Sequence, residues 1–195
     1  MIDAMADSRI KPHLTSEAYE ARKERLISIG EKLVDTPGDI AASELREITC
    51  ELISIYDNPF DARTLRDRSS HVVSNLAKNY DLALDLVVES AHQYAENQHI
   101  DDAFPYNPNS FTVLGRSGIS NAKVISFLTE TVQNDWGIPR WEAIRTLCEL
   151  TDPSADRIIA EIIQGKYPPR LLDSQFDLRE IRQIKGHSFV EHNQS

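Results

Sequence analysis

Apolar side chains return every three or four positions through most of this chain, the spacing that lines one face of a helix. Tyr19, Leu26, Ile29 and Leu33 mark a first stripe between Glu17 and Val34. Ala41, Leu45, Ile48, Leu52, Ile55 and Tyr56 mark a second between Asp39 and Tyr56, and Leu65, Val72, Val73, Leu76 and Tyr80 a third. The fourth, Leu84, Val87, Val88, Ala91, Tyr94 and Ala95, has the spacing of a cleanly amphipathic helix. Residues 98–108 are polar and loop-like, and the helical pattern then resumes over Ser110–Gly115, Asn121–Val132, Pro139–Leu150 and Ser154–Ile163. A last stripe of Leu178, Ile181 and Ile184 stops at Gly186. No alternating strand pattern of useful length intervenes, so the pattern predicts an all-α fold.

Four breaks share one form: Thr36-Pro37, Asn58-Pro59, Asn107-Pro108 and Asp152-Pro153. Each sets a side-chain oxygen before a proline, the combination that caps and opens a helix. Repeated starts with short connections predict antiparallel helical hairpins packed side by side. The expected organisation is a loose N-terminus over 1–15, one helical domain over 16–186, and a frayed tail over 187–195. Within that domain 16–97 is an irregular helical half, 98–110 a loop, 111–165 a regular pair of repeats and 170–186 a C-terminal cap.

The totals narrow the classes. With 195 residues the chain is long enough for one cored domain, and only 7 of them are glycine, which favours helices. The net charge of −10 argues against nucleic acid as a partner, because phosphates need a basic stripe. Cys50 and Cys148 both fall in apolar helical patterns and read as buried, reduced thiols. Met1–Pro12 has no apolar core of a signal peptide, and no run approaches the ~18 apolar residues of a membrane span. A cytoplasmic location is the default expectation.

Leu114 and Leu147, Ala122 and Ala155, and Ile125 and Ile158 all stand 33 residues apart (147 − 114), a period in the range of stacked helical repeats. The run Pro139–Ala155, with Ile158, Ile159 and Ile162, resembles a HEAT-like repeat of the phycobilisome-lyase type. Arg140, Ala143, Leu147, Asp152, Pro153, Ala155 and Ile158 match that pattern. The preceding repeat keeps Leu114-Gly115 and Ala122 but has Asn107 for the arginine and Ile119-Ser120 for the Asp-Pro turn. The likeness covers about residues 105–165, is only suggestive over 40–97, and implies a HEAT-like α-solenoid.

Between Lys78 and Arg116 there is no lysine or arginine, and the window carries Asp81, Asp85, Glu89, Glu96, Asp101 and Asp102. Asp85, Glu89, His92 and Glu96 share one helix face, opposite its apolar stripe. The adjoining loop adds His99, Phe104 and Tyr106, with Phe111 just beyond. Carboxylates with aromatic anchors beside them suit a cationic protein partner. The candidate partner-binding set is therefore Asp85, Glu89, His92, Glu96, Asp101, Asp102, Phe104 and Tyr106. The plainer reading of the same residues is a solvated helix face.

Other chemistry finds little support. Glu89-Ser90-Ala91-His92 has the spacing of a di-iron bundle motif, but such a site draws that motif from each of two helices and a glutamate from each of two others, and no such set is assigned. His187 and His192 lack a second ligand pair. No nucleophile triad and no phosphate-cradling glycine loop is present, so no catalytic residue, metal or cofactor is assigned. Arg140 and Asp152 read as a structural ion pair, and Trp141 as interhelical packing. The leading expectation is a non-enzymatic module that binds a basic protein as adaptor, chaperone or inhibitor. The resemblance implies an alternative, bilin attachment or handling, with Arg140, Trp141 and Tyr106 lining the pocket.

Overall fold

The computed structural model describes residues 16–58, 60–97, 109–134 and 137–167. Among them are eight helices and no strand: α1 (Ser16–Asp35), α2 (Ala42–Asp57), α3 (Arg63–Asn79), α4 (Asp81–Asn97), α5 (Asn109–Ser117), α6 (Ala122–Asn134), α7 (Ile138–Glu149) and α8 (Pro153–Ile163). None is long and apolar enough to cross a membrane. The expected N-terminal arm, C-terminal cap and tail fall outside the described residues, with Leu178, Ile181, Ile184, His187 and His192.

Two rows of helices make the molecule. In one, α1 packs on α3, α3 on α5 and α5 on α7; in the other, α2 packs on α4, α4 on α6 and α6 on α8. Further contacts join the rows, with α2 on α3, α3 on α4, α6 on α7 and α7 on α8. One continuous apolar core lies between them, from Ile27 and Leu52 through Leu76, Val87 and Leu114 to Leu147 and Ile159. Leu114 and Leu147 are fully buried in the neighbouring helices α5 and α7.

The fixed 33-residue register holds for α5 and α7, where Phe111 and Ile144 are equivalent in burial as Leu114 and Leu147 are, but it fails in the next helices. Ala122 is exposed whereas Ala155 is buried. The buried residues Val124, Phe127 and Leu128 of α6 instead match Ala155, Ile158 and Ile159 of α8, 31 residues on (155 − 124). The cause is the turn. Five positions separate Leu147 from the capping Asp152, and seven separate Leu114 from Asn121, so two residues are lost at the second turn. Both turns end in a side-chain cap: Val124 N–H donates to Asn121 Oδ1 at 3.0 Å, and Ser154 N–H donates to Asp152 Oδ1 at 2.7 Å.

Of the four expected proline caps, Asp152-Pro153 opens a helix as foreseen. Thr36 instead closes α1, its hydroxyl and N–H both donating to the Lys32 carbonyl, and α2 starts only after Ala41. Asn58 closes α2 and accepts from Phe60 N–H at 3.1 Å. Pro59, Asn107 and Pro108 lie outside the described residues, and α5 begins at Asn109, inside the expected 98–110 loop.

The stripe expected on α1 is rotated. Tyr19 and Ile29 are 43% and 37% exposed, while Lys23, Ile27 and Gly30 make the inner line. Gly30 permits the close approach of α1 to α3, since a Cβ there would stand 2.5 Å from Val72 Cγ1. Lys23 reaches Asp61 in the turn before α3, and both side chains are 5% exposed. Cys148 is buried as expected, but Cys50 is exposed, because it sits off the Leu45–Ile48–Leu52 line of α2. The expected Arg140–Asp152 pair is also replaced. The two residues stand at opposite ends of α7, about 18 Å long at ~1.5 Å per residue. Arg140 donates to the Val132 carbonyl at one end, and Asp152 caps α8 beyond the other.

Candidate functional site

Helix α4 turns Ala83, Leu84, Val87, Ala91 and Ala95 inward and leaves Asp85, Glu89, His92 and Glu96 exposed on one face. The structure thus brings together four of the candidate residues on one helix. Asp101, Asp102, Phe104 and Tyr106, with His99, lie outside the described residues.

That face borders an open hollow of about 620 Å³ between α4 and α6. Asp85, Val88, Glu89 and His92 form one wall, Lys123, Ser126, Phe127 and Glu130 the other, and Arg46 of α2 closes one side. The floor is partly apolar, with the His92 ring edge-on to Phe127 at 6.1 Å between centroids. Phe127 in turn stacks toward Phe111 at 5.7 Å, which ties the floor to the core.

Local sequence leaves the carboxylates of α4 without a cation, but neighbouring helices supply two. Lys123 of α6 pairs with Asp85, and Arg46 stands in the same hollow. Glu96 faces His92 Nε2 at 3.2 Å, an ion pair when the imidazole is protonated. Glu89 carries no ion pair among the described residues, and Glu130 takes only a long hydroxyl bond from Ser126, 3.4 Å. The Asp85–Lys123 pair is half exposed on both sides and contributes less than about 1 kcal/mol. It is cheaply exchanged for a pair with another cation.

The charge of the molecule is divided between the two rows. Helices α2, α4, α6 and α8 carry four, four, one and two Asp or Glu, eleven in all, against three Lys or Arg. Helices α1, α3, α5 and α7 carry five, one, none and two, eight in all, against eleven. The hollow sits in the middle of the acidic row. Sequence reading found the acidic window of α4 but not this division, since it becomes visible only when alternate helices are known to share a side. Phe127, Lys123 and Glu130 were likewise missed, because nothing in the sequence joins α6 to the α4 face.

Among the described residues no three His, Cys, Asp or Glu side chains converge as a metal site would require. No family model, curated protein or solved structure matches the chain.

Proposed function

We propose that the chain is a non-enzymatic protein-binding module, a HEAT-like solenoid of four helical hairpins whose acidic row receives a basic partner. The observation that carries this reading is the division of charge, eleven acidic against three basic residues on α2, α4, α6 and α8. A surface with a large excess of one charge steers an oppositely charged partner and disfavours like-charged ones. The hollow between α4 and α6 adds an apolar floor at Val88 and Phe127 beneath the unpaired Glu89, where an arginine or lysine stem from the partner packs and its charged head pairs. Such a role is that of an adaptor, chaperone or inhibitor.

The test is partner recovery from lysate with two variants. One neutralises Asp85, Glu89, Glu96 and Glu130 as Asn or Gln; the other neutralises Glu17, Glu24, Glu31 and Asp67 on the opposite row. Loss of the partner from the first alone, with stronger loss at higher salt, supports the reading. Equal recovery with both variants overturns it. For the bilin-handling alternative, Arg140 is a poor pigment ligand, being buried and donating to the Val132 carbonyl. Co-expression with a bilin is expected to give no coloured complex.

A further inference from the structure

At the junction of α2, α4 and α5, a chain of polar groups runs through otherwise apolar packing. The Tyr56 hydroxyl shares a hydrogen bond with Ser110 Oγ at 3.0 Å, Ser110 Oγ shares one with Ser90 Oγ at 2.8 Å, and Ser90 Oγ donates to Asp57 Oδ2 at 3.4 Å. Asn109 Nδ2 donates to the Tyr56 carbonyl at 2.6 Å, so both first residues of α5 are held to the end of α2. The other Asp57 oxygen is buried and accepts no hydrogen bond among the described residues.

A carboxylate is poorly served here. Asp57 is the last residue of α2, where the free carbonyl ends of the helix disfavour negative charge. From α2 it meets the Tyr56 phenol, itself pushed far above its ordinary range by burial and then by Asp57. From α4 it meets Ser90, which links it in turn to Ser110 of α5; Glu89, beside Ser90, faces the hollow instead. Asp57 carries no ion pair among the described residues. Burial raises the Asp57 carboxyl to about 7, and the Ser90 hydroxyl offsets this only in part.

We propose that Asp57 with Ser90, Ser110 and Tyr56 forms a pH-sensitive clasp, closed on the first turn of α5 when the carboxyl is protonated and loosened when it ionises. Protonated, Asp57 donates to Ser90 and the junction holds no buried charge. Ionised, the carboxylate has one long hydroxyl bond and a helix end against it, and gains by turning toward water. The chain from Ser90 to Ser110 and Tyr56 then loses its anchor, and α5 loses its hold on α2. The folded-state value lies above the ordinary one, so the clasp stabilises fully below about 3.8 and its contribution is lost as pH rises through about 7.

The experiment uses the full chain and three readouts: a carbon-13 NMR titration of the aspartate side chains, amide hydrogen exchange, and the Asp57→Asn variant. One aspartate is expected to titrate near neutrality and to be absent from Asp57→Asn. Amides of Phe111–Leu114, corrected for intrinsic rates, are expected to open about ten-fold more readily near pH 8 than near pH 6 in the wild type, by linkage, and equally at both in Asp57→Asn. Every histidine is common to both proteins and drops out of the comparison. All aspartates titrating below about pH 5, or the same pH dependence of α5 exchange in both proteins, overturns the proposal. Should Asp57→Asn fail to fold, the wild-type titration decides alone.

Discussion

Replacing Lys23 by methionine removes the cation from one of the most enclosed ion pairs of the molecule. Lys23 and Asp61 are each 5% exposed at the side chain, and the second oxygen of Asp61 is buried without a hydrogen bond. The Lys23 ammonium also lies over the Tyr19 ring, 3.6 Å from its centroid. Lys23→Met strands the Asp61 carboxylate in the interface between α1 and the α2–α3 turn. Breaking a buried pair on one side costs about 3–5 kcal/mol, most of it the penalty of the charge left behind. Pairing the change with Asp61→Leu removes that charge, and the double variant is expected within about 1 kcal/mol of the wild type, since an apolar replacement of a buried pair is often neutral. Urea unfolding followed by far-ultraviolet circular dichroism measures all three proteins. A loss below about 1 kcal/mol in Lys23→Met, or a double variant no more stable than the single one, refutes the claim that Lys23 fixes α1 by neutralising Asp61.

Leu114→Ala and Leu147→Ala each empty a fully buried site in adjoining helices, and each is expected to cost about 2–5 kcal/mol in the same assay. Gly30→Ala drives a methyl group into Val72, and a loss of about 1–3 kcal/mol is expected in a thermal melt, with α1 exchanging its amides first. Asn121→Ala removes the cap of α6 and is expected to cost about 1 kcal/mol in urea unfolding. Lys123→Ala frees Asp85 at the edge of the hollow; stability is expected to change by less than about 1 kcal/mol, while binding of a basic partner tightens in calorimetry.

The helices were legible because each presents a continuous apolar stripe, and α4 most of all, whose inner and outer faces fall where its pattern puts them. Positions that carry no apolar mark were not legible. Gly30 and the stem of Lys23 define the contact line of α1, so a count of large apolar residues rotates that helix by choosing Tyr19 and Ile29. A turn shorter by two residues moves every equivalence after it, which is why Ala122 stands in water and Ala155 in the core. At the candidate site, the exposed quartet of α4 could be read from spacing. Its counter-charges could not, since Arg46 and Lys123 come from helices far away in sequence. The junction around Asp57 was hidden for the same reason: Ser90 and Ser110 have no periodic signature, and Tyr56 reads as one more apolar contact.

Hydrogen exchange of the chain with and without its recovered basic partner locates the recognition surface on one row of helices or the other. With the acidic row as the recognition surface, exchange is expected to slow on α2, α4 and α6, most strongly beside Glu89 and Phe127, with α1 and α3 unchanged. Protection confined to α1 and α3, the row richer in lysine and arginine, would contradict it.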